Sequence, residues 1–473
     1  MNVKPSPYLL SLRHDLKTII TELSSHFDYV SVLASDSKGK AYSVRTRSMD
    51  IRDFMGERGL VFRAVCQGRV AEVSLNDLKL SVPMDASQKV MDLLKSQFEL
   101  QEKFESVLVD LSNEESTSLD VTKAYGIPFE TKSPEEKLSI LSEIVKEVGS
   151  RDPRIVNTVV QFSEVTVSKL FISTKKDMLQ TYPWSQAYIV TLGNGDSGIK
   201  MSYNAVSGMK GLELLDELKG LIDTAVKNLD DTLKTTAIIP GEYEIICTPD
   251  ITGLIAHEAF GHGVEMDMFV KNRAQAPQFI NKAVASPLVG MHDGALVYDQ
   301  VSSYAFDDEG TLAHDTVVIE NGILKQGICD ALSASRLNTV PTGNGKRENF
   351  ERKAYTRMTS TYFTSGSDRL EDMISSIKKG YLLDGMESGM EDPKNWGIQC
   401  VLSRGYEIID GKMTGKVVGP IILTGYVIDL LKSITMVSPE IELSGSGFCG
   451  KGHKEWVKTA NGGAYIKATA RLG

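Results

Sequence analysis

Residues 240–267 read PGEYEIICTPDITGLIAHEAFGHGVEMD. Glu242–Cys247 carries Tyr243, Ile245 and Ile246, residues that favour an extended, half-buried backbone, and it is read as a strand. Thr248-Pro249-Asp250 is a turn. A helix is expected over 251–268, with Asp250 or Thr252 as its N-cap. That helix carries His257-Glu258-Ala259-Phe260-Gly261-His262, and the second half of the chain is read around it.

The motif is HExxxH, one residue longer than the HExxH of common zinc peptidases. Two neutral imidazoles can bind zinc, and the adjoining carboxylate can take a proton from water that the metal activates. The spacing is the difficulty. On a regular helix, residues four apart lie about 40° apart around the axis, and residues five apart lie about 140° apart. His257 and His262 would then face different ways, so a one-residue π-bulge or kink is predicted between them. Gly261 eases such a distortion. With seven histidines in 473 residues, chance yields this pattern on the order of 0.01 times. The competing reading is two histidines satisfied by hydrogen bonds on a buried helix.

A two-histidine site needs a third protein ligand. The candidates are Glu265, Asp267, His292, Cys449 and His453. Glu265 or Asp267 can instead orient an imidazole. Cys449 sits in the glycine-rich Ser444–Gly452, with Lys451 nearby, which suits a thiolate in an open electropositive site. Cys66, Cys247, Cys329 and Cys400 read as small buried hydrophobes. Arg357 is read as a partner for an acid or for a peptide carboxylate. Asp307-Asp308-Glu309 reads as an acidic turn, Pro341–Gly345 as a turn without the ending of a P-loop, and the three tryptophans as packing residues.

Outward from the motif, the chain beyond about residue 285 is mostly strands and glycine-rich turns, with one helix near Leu370–Lys379. Residues 236–473 are therefore read as a β-rich second domain. Residues 1–235 are read as a self-contained α+β unit. It opens with an amphipathic helix at Leu9–Leu23. Tyr29–Leu33 and Lys40–Arg45 are expected to pair across Ser35–Gly39, with two more strands on either side of Cys66. A helix over Ala86–Leu108 follows, then one from Ser133 to about Val148, which Ser133-Pro134-Glu135-Glu136 opens with a capping box. Ile155–Ile199 reads as an antiparallel meander and Leu212–Leu233 as one long helix. No internal repeat appears.

Hydrophobic residues make up 41% and charged residues 24%, the balance of a globular protein, which excludes disordered, collagenous and coiled-coil chains. The net charge of −10 argues against electrostatic binding to nucleic acid or anionic membranes. No stretch reaches the ~18–20 apolar residues of a membrane span. The N-terminus lacks the apolar core and cleavage site of a secretory signal. Five scattered cysteines without a CxxC argue against a disulfide framework, so a reducing, cytoplasmic location is expected.

The stretch from Pro240 through His257, His262, Glu265 and Asp267 resembles the TldD side of the TldD/PmbA metallopeptidases. So do Phe306–Gly310, Ile319–Leu324, Pro341–Gly345, Arg357–Tyr362 and the Cys449-Gly450-Lys451 loop, in that order, and Glu57–Arg63 in the first half. The resemblance covers nearly the whole chain and is strongest in the second half. It implies zinc held by His257, His262 and Cys449, with Glu258 as the catalytic base. It implies an α+β fold: an N-terminal antiparallel sheet with helices, and a twisted, barrel-like antiparallel C-terminal domain carrying the motif helix. It also implies a homodimer, or a heterodimer with a PmbA-type paralogue, and unfolded peptides bound as an added strand. The continuation Gly452-His453-Lys454-Glu455-Trp456 departs from the family pattern, and His453 there is a candidate ligand, proton donor or pocket-lining residue.

The expected function is a zinc-dependent peptidase acting on unfolded or flexible peptides, with Glu258 activating water. Glu265, Asp267, Arg357, Lys451 and His453 are expected to support the ligands or contact substrate. The rivals are a non-catalytic metal-binding partner subunit and a peptide-binding module.

Overall fold

The computed structural model describes residues 3–76, 83–101, 108–196, 198–452 and 455–473. The first half is built on an eight-stranded sheet. Its path runs Arg69–Leu75, Glu57–Cys66, Tyr29–Arg45, Ile155–Ser173, Lys176–Gly195 and Thr117–Thr122, with Ser48–Asp53 and Gly198–Gly208 added alongside. The expected meander is present, as long antiparallel strands 155–173, 176–195 and 198–208. The two strands around Cys66 form a hairpin whose turn residues, Gln67 and Gly68, both have positive φ, as a tight twisted hairpin requires.

One sheet face is covered by helices. Pro7–Leu23 buries Leu9, Leu12, Leu16, Ile19, Ile20 and Leu23 against Val32, Leu60 and Phe62. Each such side chain contributes about 1.5–3 kcal/mol by leaving water. Pro134–Arg151 begins with the predicted capping box: Ser133 Oγ accepts from the Glu136 amide at 3.2 Å, and the Glu136 carboxylate accepts from the Ser133 amide at 2.6 Å. The opposite face receives the second half. Val165, Val167, Tyr182 and Trp184 pack on Ala295, Val301 and Tyr304, and Phe171 packs on Phe306.

Three local expectations are corrected. Ser35–Gly39 is no turn: Tyr29–Arg45 is one strand, paired with strand 155–173 through all five residues and with strand 57–66 as far as Ser37. Ser35, Asp36 and Ser37 are buried in place, with Asp36 accepting from Ser6 Oγ and Arg58. Residues 212–233 form two helices, Leu214–Gly220 and Ile222–Leu233, broken at Leu221. The helix expected over Ala86–Leu108 runs Pro83–Gln101, and residues 102–107 lie outside the described residues.

The second half contains a closed five-stranded barrel. Lys379–Asp392, Gly397–Ile409, Ile421–Tyr426, Ile466–Leu472 and Gly241–Cys247 pair in that order, and 241–247 returns to 379–392. The barrel is mixed, because that closing pair is parallel. A six-stranded sheet, including Met291–Gly294, Ser360–Phe363 and Ala460–Gly463, lies beside it. The motif helix starts where Gly241–Cys247 ends and lies between strands 379–392 and 460–463. The approach is close: a Cβ on Gly253 would stand 2.5 Å from the Gly462 nitrogen. The helix closing near residue 370 is Leu370–Ser375.

Candidate metal centre

The helix N-cap is Thr248, with Pro249 in the first turn, rather than Asp250 or Thr252. Proline tolerates the first helical position because its missing N–H would be unpaired there anyway. Asp250 instead accepts from Thr248 Oγ1 and from the Met386 amide, tying the helix start to the barrel.

Pro249–Leu254 is α-helical, and Ile255–Gly261 widens into a π-helical turn. The His262 amide donates to the His257 carbonyl, five residues back, so one expanded turn spans the whole motif. The expansion predicted from the spacing is present. It brings the two imidazole centroids to 5.1 Å, nearly perpendicular at 83°. Gly261 has ordinary helical angles, φ −59° and ψ −49°. Its glycine is required for space rather than for distortion, since a Cβ there would lie 2.2 Å from Met358 Sδ.

A hairpin of Phe448–Lys451 and Glu455–Lys458 brings Cys449 to the helix, 187 residues beyond His262. Cys449 Sγ lies 3.5 Å from His262 Nε2. Ligand atoms of His257, His262 and Cys449 all fall within 4.8 Å of one another, and no other such group occurs among the described residues. Glu258 Oε2 is 4.0 Å from His262 Nε2. Strand 379–392 can lie against the Glu258 side chain because Gly389 has no Cβ, which would come within 2.5 Å of Glu258 Cγ.

The remaining candidates separate by position. Glu265 is buried and accepts from His262 Nδ1 at 3.1 Å and from Lys451 Nζ at 2.9 Å. Lys451 also donates to Asp267 at 2.7 Å and to the Thr356 carbonyl. Glu265 therefore orients an imidazole, and Asp267 acts one step further out, through Lys451. Arg357 is fully buried and forms no ion pair among the described residues. Its guanidinium donates to the carbonyls of Cys449 at 2.5 Å and Glu455 at 3.2 Å, which braces the hairpin. His292 is away from the cluster, paired with Asp315 at 2.9 Å. His453 lies outside the described residues.

Burial would raise the Cys449 thiol, but His262 and then His257 outweigh it and hold the thiol well below its usual value. Burial has no such opposition at Cys329 and Cys400, which are pushed up to about 12. Burial would lower His262, yet Cys449 and Glu265 carry it well above its ordinary value. Glu265 is held below the carboxylate range by Lys451 and His262 against the cost of burial. Burial raises Glu258, with both imidazoles opposing.

The residues fit zinc. The donor set of two imidazoles and a thiolate leaves a fourth position open, as hydrolytic zinc requires. His257 Nδ1 is buried without a hydrogen-bond partner, as a histidine satisfied within the protein would not be.

Comparison with known proteins points to metallopeptidases. Residues 240–456 match the PmbA/TldA metallopeptidase C-terminal domain. A zinc metalloprotease TldD homolog of Saccharolobus solfataricus is 27% identical over 339 residues, 71% of this chain and 75% of that protein. A metalloprotease TldD homolog of Buchnera aphidicola is 25% identical over 449 residues, 92% of this chain and 91% of that protein.

The family model and the TldD-named relatives support a TldD/PmbA family member.

The TldD/PmbA fold extends over the whole length. TldE from Thermococcus kodakarensis superposes with a TM-score of 0.73 at 19% identity, over 97% of this chain and all of that one. A Thermotoga maritima protein solved as a proposed modulator of a DNA gyrase gives 0.76 at 17%, over 98% and 100%.

Two residues of this candidate site escaped the sequence. The carboxylate oxygens of Glu391 are buried beside Gly263, whose Cβ would stand 2.6 Å from Oε1, and burial pushes the carboxyl well above the usual value. Trp396 packs on Phe260 and Phe279 with its indole nitrogen buried and unpaired. Glu391 stands near the end of one barrel strand and Trp396 in the turn to the next, and no local pattern near them marks a site.

Proposed function

We propose that this chain is a zinc-dependent peptidase that hydrolyses unfolded or flexible peptides. The observation that carries this reading is the meeting of His257, His262 and Cys449 within 4.8 Å beside the Glu258 carboxylate. His257 Nε2 or Nδ1, His262 Nε2 and Cys449 Sγ are the atoms that would hold the metal. Zinc, when bound, supplies a Lewis acid that polarises a carbonyl and lowers the pKa of water.

The chain's own groups do the rest. Glu258 takes the proton from the attacking water and delivers it to the leaving amine, and its raised pKa suits both halves of that task. Glu265 fixes the His262 ring by accepting from Nδ1, which leaves Nε2 free as a ligand. Lys451 and Arg357 hold the Glu265 carboxylate and the Cys449 carbonyl in register. Beyond Leu383 the strand 379–392 pairs on one side only among the described residues. A peptide laid along its open edge at 387–391 passes Glu258, which lies against Gly389.

The near-complete superposition on TldE supports assembly with a second copy or a PmbA-type paralogue. Five free cysteines support a reducing compartment, and no described helix is long and apolar enough to cross a membrane.

Glu258→Gln tests the reading. It is expected to retain zinc and fold while cleavage of an unstructured peptide falls about 10²–10⁴-fold. Undiminished cleavage in that variant overturns the role of Glu258.

A further inference from the structure

A second site lies behind the hairpin that carries Cys449. Side chains alternate across a strand, so Phe448 leaves the face opposite Cys449. The cross-strand pairs Phe448–Lys458 and Gly450–Trp456 share that rear face, and Cys449–Val457 lies on the front. The rear face closes a cavity of about 390 Å³ between the N-terminal sheet and the second half. Its walls include Phe54, Trp184, Phe448 and Trp456, with Lys346 and Lys458 also lining it. Trp456, read from the sequence as a packing residue, is 48% exposed, and Met55 is 36% exposed; both stand at the mouth.

Each of the other charged groups lining the cavity has a partner: Asp307 accepts from the Gly345 amide at 2.8 Å and Glu348 from the Trp456 amide at 3.1 Å. Lys169 pairs with Asp308, Arg347 pairs with Glu72 at 2.6 Å, and Glu57 accepts from the Phe350 amide at 3.0 Å. The two remaining lysines have no carboxylate within ion-pair reach among the described residues. Lys346 donates to the carbonyls of Met358 and Lys458. Lys458 donates to Gln186 Oε1 at 2.6 Å and to the Gly447 carbonyl at 2.8 Å, and lies 4.2 Å over the Phe448 ring. An ammonium has three donors, so each lysine keeps one N–H for a ligand.

We propose that this cavity binds a small organic carboxylate carrying an aromatic or apolar side chain. Two ammonium groups match the two oxygens of a carboxylate, and the aromatic walls bury the body of the ligand. A buried cation without a counter-charge is costly, and an incoming carboxylate removes that cost at both lysines. The downward shift of both amines fits. Burial followed by Arg357 pushes Lys346 down to about 7, and burial followed by Lys346 pushes Lys458 down. The volume accommodates a ligand of amino-acid to dipeptide size. Its source is either a free acylated amino acid or the C-terminus of a peptide. The inference does not depend on the peptidase reading, because the cavity and His262 lie on opposite faces of the hairpin.

The test is calorimetric titration of the full chain carrying Glu258→Gln, which prevents hydrolysis of the probes. Two of the three tryptophans line the cavity, so indole fluorescence gives a second readout. N-acetyl-phenylalanine is expected to bind saturably, and its neutral amide at least about tenfold more weakly. Lys346→Met and Lys458→Met are each expected to weaken the acid by about tenfold or more. Where either fails to fold by circular dichroism, Trp456→Ala, at the exposed mouth, is expected to weaken it as well. Tighter binding of Ala-Ala-Phe assigns the site to peptide C-termini, and tighter binding of the N-acetyl derivative assigns it to free acids. Equal affinity for acid and amide overturns the proposal, as does absence of saturation at about 10 mM or indifference to the lysine substitutions.

Discussion

Gly261→Ala decides between helix propensity and packing. Gly261 has helical angles, φ −59° and ψ −49°, which alanine adopts freely. Propensity alone makes the substitution stabilising by about 1 kcal/mol. The structure opposes it. The new methyl would stand 2.2 Å from Met358 Sδ and 3.0 Å from the Ala256 carbonyl, and Met358 is completely buried. Overpacking of a rigid core costs about 1–3 kcal/mol. Met358 has little freedom to yield, because its neighbour Arg357 holds the Cys449 carbonyl and its carbonyl accepts from Lys346. Taking the overpacking near the upper end of that range, the net loss is about 1–2 kcal/mol, a fall in Tm of roughly 2–8 °C for a domain of this size. The assay is thermal unfolding of the wild type, Gly261→Ala, Met358→Ala and the double variant, with zinc content measured on each. In the Met358→Ala background the contact is gone, so Gly261→Ala becomes neutral or stabilising, a coupling of at least about 1 kcal/mol. A Gly261→Ala protein that melts above wild type, or a cycle that is additive, refutes the argument.

Arg63→Ala removes a buried guanidinium that pairs with Glu72 on its own sheet and with Glu309 of the second half. Glu72 keeps Arg347, but Glu309 is left buried without a cation, which is expected to cost about 3–5 kcal/mol, seen as a large fall in Tm, and an unchanged Tm would contradict the pairing. Lys346 has a folded pKa of about 7, below its unfolded value of 10.5, so the unfolded chain binds more protons between those limits. Stability gains from this group as pH rises from about 7 to 10.5, and Lys346→Met is expected to lose that gain. Parallel pH profiles of Tm for wild type and variant over that range would contradict it. Glu265→Gln loses the ionised acceptor for His262 and Lys451, so zinc affinity is expected to fall about 10–100-fold by competition with a chelating dye. Unaltered affinity would separate Glu265 from the centre.

Where sequence and structure agree, a local rule had one solution. Ser133-Pro134-Glu135-Glu136 can cap only one way. The spacing of His257 and His262 demanded an expanded turn once both were required on one side, and residues 255–261 provide it. Where they differ, a distant partner decides. Ser35, Asp36 and Ser37 look like a turn, but they sit inside a strand, buried, with partners at Ser6 and Arg58. Gly261 looked like a point of flexibility, and Met358, almost a hundred residues on, shows it to be a point of contact. Among the five candidates for a third ligand, motif spacing left the choice open and the resemblance named Cys449; a hairpin 187 residues from His262 is what brings it there. Glu391 and Trp396 carried no signal because they join the site only through barrel closure. The barrel's parallel closing pair was equally invisible, since pairing direction between strands 241–247 and 379–392 leaves no mark on either.

X-ray absorption at the zinc edge of the purified protein tests the central claim most directly. The account predicts one sulfur at about 2.3 Å and two imidazole nitrogens at about 2.0–2.1 Å, with the sulfur signal lost in Cys449→Ser. A zinc shell without sulfur in the wild type, or one unchanged in Cys449→Ser, would contradict it.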